Sequence, residues 1–185
     1  MQRTRLAVPL IALALGACAS TPAPVPEVPE PLPQHQQLQK GVGTWEGTLT
    51  MFMPDTPVQA VACKEVVEPI GLFWTQSQFT SDFMGMPFRG SACMGYDPYK
   101  ERYVGTWIDS ETTELAVMTG EMDLDGNTLV MRWTQRDPDS GVPTPHRVET
   151  TFHGDGYTSD FFHGNGSGVK MMTIEMKRVA SAAHH

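Results

Sequence analysis

Methionine spacing is the first pattern in the chain with chemical potential. Met51-x-Met53 and Met84-Gly85-Met86 have the separation of thioether pairs. Residues two apart on a strand point the same way, so either pair could converge on a soft ion such as Cu(I). The chain holds 12 methionines, enough for such pairs to arise simply as neighbours on one apolar face. Asp123-x-Asp125-Gly126-Asn127 opens like a calcium loop but lacks the third alternating acid and the terminal glutamate, so it reads as a hairpin turn. Glu149, His153, Asp160 and His163 offer acid–base groups that could meet across the last strands, but spacing does not show a base within reach of a nucleophile or an orienting group against the base. There is no Gly-x-Ser-x-Gly elbow and no paired-cysteine metal site. The glycine-rich run Gly164–Gly168 is not followed by a helical pattern and so should not cradle phosphate. These residues assign no catalytic group, no metal site and no cofactor. The chemistry left to the chain is binding.

The elements that would position a binding site are strands. From Gly43 onward strand signals recur with turn chemistry between them, and the pattern predicts strands over Gly43–Met53, Val58–Pro69, Leu72–Phe83, Phe88–Tyr96, Arg102–Asp109, Glu114–Met122, Thr128–Arg136, Pro145–His153, Tyr157–His163 and Val169–Val179. Asp125-Gly126-Asn127 and Asp155-Gly156 supply residues that tolerate positive φ in tight hairpins. Only His35–Val42 reads as a short helix. Ten short strands with no crossover helix predict an all-β fold: a single antiparallel up-and-down β-barrel with a short N-terminal helix, closed so that no strand edge is exposed.

Alternation then assigns faces. In the first strand Trp45, Gly47, Leu49, Met51 and Met53 share one side; in the last, Met172, Ile174, Met176 and Arg178 do. Barrels of this size typically enclose a cavity. The expected ligand-binding liners are Leu49, Met51 and Met53 on the first strand, Met131 and Trp133 on the seventh, and Met172 and Ile174 on the last, with Leu129 and Met176 beside them. Methionine is flexible and polarizable, so such a lining suits a small apolar or amphipathic ligand. A barrel filled by these side chains as plain core, serving as an interaction or scaffold protein, is the alternative.

Cys63 and Cys93 are an even pair in a chain read below as exported, which points to a disulfide. The strand pattern sets them two strands apart, roughly 9.5 Å, whereas a bridge needs Cα atoms within about 7 Å. Either the ladder is distorted there or both are free thiols.

The N-terminus speaks of location. Arg3 and Arg5 precede an apolar run from Leu6 to Leu15, followed by small residues and Cys18. A basic start, a short apolar core and small residues before a cut describe a secretory signal. Leu15-Gly16-Ala17-Cys18 resembles the lipobox of bacterial lipoproteins, which implies a lipidated Cys18 and anchoring to a membrane through acyl chains, each buried CH₂ contributing about 0.8 kcal/mol. Ala19, not aspartate, follows the cysteine, and in enteric-type sorting that implies the outer membrane, facing the periplasm. Six prolines between Ala19 and Pro33 predict an extended spacer. The expected organisation is a signal peptide over 1–17, a lipidated cysteine and Pro-rich spacer over 18–34, a barrel over 35–179 and a disordered tail over 180–185. Thirteen basic against 21 acidic side chains give a net charge of −8; loss of Arg3 and Arg5 with the signal leaves 11 against 21, a net −10. That balance argues against nucleic acid as a partner, and no motif names a protein partner.

Two further resemblances concern the barrel. Gly43-Thr44-Trp45 after a short helix, with Arg178 at the end of the last strand, resembles the signature of lipocalin-like (calycin) barrels, where the tryptophan plugs one end and the arginine packs across it. The resemblance gives those roles to Trp45 and Arg178. Gly43 to Gly47 is also similar to the start of nitrobindin-like barrels, which bind haem through one histidine near the C-terminal strands; His153 and His163 are the residues available for that role. A closer likeness runs through His35–Gly47, Gly95-Tyr96-Asp97, Tyr103, Trp107-Ile108-Asp109-Ser110, Gly120, Asp123 with Asp125-Gly126-Asn127, and Lys170–Arg178. These segments resemble the bacterial family catalogued as domain of unknown function 1579, thought to be calycin-like and without an established activity. Met176 stands where that family commonly has an aromatic residue.

Overall fold

The structure is a computed structural model, and it describes residues 28–52, 58–83, 85–137, 140–164 and 166–180. Helix α1 (Pro33–Gln39) is followed by ten strands: β1 (Gly43–Met51), β2 (Gln59–Ile70), β3 (Trp74–Phe83), β4 (Met86–Asp97), β5 (Arg102–Asp109), β6 (Ala116–Met122), β7 (Thr128–Arg136), β8 (Pro143–His153), β9 (Gly156–His163) and β10 (Val169–Arg178). Each strand pairs antiparallel with its sequence neighbour, and β1 pairs with β10 to close the barrel. The expected all-β up-and-down barrel is therefore what the chain forms. The helix begins at Pro33, because proline at a first helical position loses no hydrogen bond. It stops at Gln39, and Lys40 to Val42 continue as a turn whose N–H groups reach the carbonyls three residues back. Pro31 to His185 form one compact unit. All ten ladders and both apolar clusters close within it, so this unit meets the conditions for folding on its own.

The two ends of the barrel differ. At the end where β1 starts, the strands turn back through short connections such as Gly71–Phe73 and Gly154–Asp155, and α1 lies there, packed on β3 and β4. His35 fastens it: Nδ1 accepts the N–H of Leu32 at 3.0 Å, which leaves Nε2 to donate to the carbonyl of Tyr96 at 3.1 Å. Its ring meets those of Phe73 and Tyr96 edge-on. At the other end the connections after β5 and β7 are longer. No helix covers that end among the described residues.

Trp45 stands at the helical end of the barrel. It is buried, and its Nε1 donates to the carbonyl of Gly41 at 2.9 Å. Arg178, its register partner on β10, lays its guanidinium 4.1 Å from the centre of the Trp45 ring. Arg178 also donates from Nη1 to Val42 and from Nη2 to Lys40, both at 2.6 Å. A guanidinium placed on the inward face by alternation is in fact exposed, because the strand ends there and the side chain folds over the outside of the plug. Two glycines make room. A Cβ on Gly43 would lie 2.3 Å from Arg178 Nη1, and one on Gly47 would lie 1.9 Å from the Glu175 carbonyl. The Gly-x-Trp-x-Gly spacing is thus a packing requirement of the β1–β10 seam.

Candidate functional site

Inside the barrel is a cavity of about 570 Å³, within the range of small-molecule pockets. Leu49 and Met51 of β1, Met131 and Trp133 of β7, and Met172 and Ile174 of β10 all border it, as do Trp45 and Leu129. Met53 lies outside the described residues. Met176 does not reach the cavity: it is almost wholly buried in the wall, with the Cys63 thiol 3.6 Å from its sulfur. Much of the lining went unread in the sequence. Phe79, Phe88 and Trp107 form one aromatic flank, their rings meeting edge-on, and Phe152 and Phe161 face in from β8 and β9.

Polar groups enter this apolar space at a few points. Glu65 of β2 stands between Trp45 and Phe79 in the register and borders the cavity. Its carboxylate accepts the hydroxyl of Tyr157, and the Tyr157 ring packs edge-on to Trp45 at 5.2 Å. Burial, and then the charge of Glu65, push the Tyr157 phenol well above its ordinary range, so it stays a donor. The same two causes push the Cys63 thiol up to about 11. Thr75, Ser77 and Ser81 face in from β3, and the buried Oγ of Ser81 has no hydrogen-bond partner. Across the barrel Thr150 and Ser159 satisfy each other at 2.8 Å. Asp109 lies toward the open end, where it accepts Trp107 Nε1 at 2.8 Å and the N–H groups of Glu111 and Thr112. No lysine, arginine or histidine borders the cavity among the described residues.

The disulfide left open by the sequence does not form: Cys63 and Cys93 are free thiols. Cys63 is level with Ser81 and, one strand further, Phe88, whereas Cys93 is five residues beyond Phe88. Two strands sideways and five residues along put them about 19 Å apart. Alternation also turns them to opposite faces, Cys63 inward with Gly47 and Cys93 outward beside the inward-facing Met94.

The acid–base residues do not converge either. Glu149 and Asp160 are paired on the outer face, where Arg147 holds the first and Lys170 the second, each at 2.7 Å. His153 is exposed at the helical end, its Nε2 2.8 Å from Thr158 Oγ1. His163 sits at the open end, edge-on to His146, whose ring stacks on Trp133. Burial, and next the neighbouring His163, lower the pKa of His146. Asp123 Oδ1 accepts the N–H groups of Asn127 and Thr128, as in a hairpin turn. Met84 lies outside the described residues, and Met86 is exposed. Among the described residues no three histidine, cysteine or acidic side chains group as a metal site.

A family model described as "Protein of unknown function (DUF1579)" matches residues 30–178. No curated protein matches the chain. Among solved structures, the crystal structure of Rv2717c from M. tuberculosis is similar in fold, with a TM-score of 0.58 at 11% identity, over 81% of this chain and 99% of that one.

Proposed function

This chain belongs to the DUF1579 family of proteins of unknown function, and we propose that its barrel binds one small apolar or amphipathic molecule. The observation that carries the reading is the void of about 570 Å³ walled by aromatic and methionine side chains. A filled barrel acting only as a scaffold has no use for such a space, since well-packed interiors leave few voids larger than a water. The helix ahead of β1 and the Trp45–Arg178 plug at that end support a calycin-like reading of the barrel. Entry of the ligand is then from the far end, past Met51, Trp133 and Met172. We place the protein in the cell envelope, held by acyl chains on Cys18 and standing off the membrane on its proline-rich spacer.

The test is binding of a neutral apolar dye, N-phenylnaphthylamine, to the unit from Pro31 to His185. Saturable brightening at one site per chain is expected, and it should be abolished by Met131→Trp, which fills the cavity without touching the outer surface. Dye fluorescence that rises without saturating, or that Met131→Trp leaves unchanged, overturns the reading. Native mass spectrometry of the protein from its own host would then name the ligand by its added mass.

A further inference from the structure

We infer that the ligand is an amphiphile ending in a protonated amine, seated with its ammonium against the Glu65 carboxylate beside the rings of Trp45 and Tyr157. The inference rests on the ligand-binding reading above and specifies the class of molecule.

The argument begins with charge balance. Glu65 presents a carboxylate to a cavity whose neighbouring polar groups on β3 are neutral hydroxyls, and the partner it has is the neutral hydroxyl of Tyr157. A charge taken from water is normally paired, because its hydration must be replaced. No side chain of this wall supplies the cation. Lys64, the next residue, points outward and pairs with Glu46 at 3.5 Å. Arg178 is two strands away across Trp45 and gives both terminal nitrogens to the carbonyls of Lys40 and Val42. The remaining ionised groups on the lining, Asp109 and Glu111, carry the same sign as Glu65. An amphiphile with a carboxylate or phosphate head would therefore bring an anion into a cavity with no cation to meet it.

An ammonium head reverses every one of those terms. It pairs with a half-buried Glu65, where such a pair is stronger than between fully exposed groups. The aromatic rings of Trp45 and Tyr157, edge-on to each other beside that carboxylate, give the first methylenes of the ligand an apolar seat. A second, independent feature of the same wall points to a polar guest. The buried Ser81 Oγ lacks any partner, and on β3 it lies two residues toward the open end from Phe79, the register partner of Glu65. A donor and acceptor left unmet in a native wall is rare, and a ligand bearing polar hydrogens is one way to meet it. The protein's net negative charge would also favour the approach of cations.

The experiment measures binding of dodecylamine, dodecanol and dodecanoate to the Pro31–His185 unit by calorimetry, each below its micelle concentration. The amine is expected to bind about tenfold or more tighter than the alcohol, a difference of about 1.4 kcal/mol, and the dodecanoate most weakly. Glu65→Gln should bring the amine to the level of the alcohol and leave the alcohol's affinity unchanged. Tyr157→Phe keeps the ring and the carboxylate, and should retain the preference for the amine. Dodecanoate binding as tightly as the amine overturns the inference and leaves the cavity reading intact. So does a preference for the amine that survives Glu65→Gln, which would mark attraction to the acidic surface. Failure of all three to bind removes both. Should Glu65→Gln not fold by circular dichroism, Met131→Trp, which fills the cavity and keeps the acidic surface, takes its place: it should abolish binding of the amine, and amine binding that survives it overturns the inference.

Discussion

Trp45→Ala tests the plug on which the closed end depends. A tryptophan side chain buries roughly 150–250 Å², and Trp45 is 4% exposed. At about 25 cal/mol per Å², removing it forfeits about 4–6 kcal/mol. Unfolded chains already bury part of that area, which trims the figure by roughly 10–40%. The Nε1 hydrogen bond to Gly41 adds about 1 kcal/mol, and the contact with the exposed Arg178 adds about 0.5–1 kcal/mol. These terms sum to about 4–7 kcal/mol, and large aromatic truncations, whose sites partly collapse, fall at the lower end of that range, so the expected loss is about 4–5 kcal/mol, comparable with the whole stability of many domains. Guanidinium unfolding followed by the fluorescence of Trp74, Trp107 and Trp133 would read it as a midpoint lowered by about 1–2 M. Trp45→Phe keeps an edge contact with Tyr157 but loses Nε1 and part of the area, and should cost about 1–2 kcal/mol. A loss within about 0.5 kcal/mol for the alanine variant, with an unchanged denaturant slope, would refute the plug.

Two other consequences can be checked directly. His146 has a folded-state pKa below its ordinary value because of burial and the neighbouring His163, with Asp137 acting weakly the other way. The unfolded chain therefore takes up a proton at His146 more readily, and stability should fall as pH drops through about 6.5 toward 5; His146→Gln should flatten that decline in pH-dependent unfolding, and an unaltered slope would show that other groups cause it. Cys18→Ser should move the protein from the membrane pellet to the soluble fraction of its host, and continued sedimentation with membranes would refute a lipid anchor at that residue.

Where a strand has one apolar and one polar face, the sequence is sufficient to orient it. β1 alternates Trp45, Leu49 and Met51 against Thr44, Glu46, Thr48 and Thr50, and those faces are the ones found. β10 shows the same pattern through Met172, Ile174 and Met176, and the hairpin residues Asp123 to Asn127 turn where their chemistry requires; at the β8–β9 hairpin the positive φ of 57° falls on Gly154 instead of Asp155-Gly156, and Gly156 already begins β9. The pairing of Cys63 with Cys93 was harder to judge, because strand order fixes a lateral separation but not an offset. The offset comes from where each hairpin turns, and the turns at Gly71–Phe73 and before Met86 set Phe88 level with Cys63, so that Cys93 falls five residues further along.

The strands that resisted reading are the ones that carry the polar side of the cavity. On β3 the inner face holds Thr75, Ser77, Phe79 and Ser81, and the outer face holds Gln76, Gln78 and Thr80, so neither looks more apolar. On β2 both faces mix apolar and charged residues, with Val61, Cys63, Glu65 and Val67 inside and Ala62, Lys64, Val66 and Glu68 outside. Period-two alternation arises because a dry core selects apolar side chains on one face. A wall that borders a void is under weaker selection of that kind, since its polar groups can be met by a guest or by water. The alternation should then fade on the part of the wall that meets a guest's polar groups and persist on β1 and β10, which border the cavity with apolar side chains. Glu65 and Ser81 lie in the two least legible strands and in the same stretch of cavity wall, which is the coincidence expected if that wall answers to a ligand as well as to the fold.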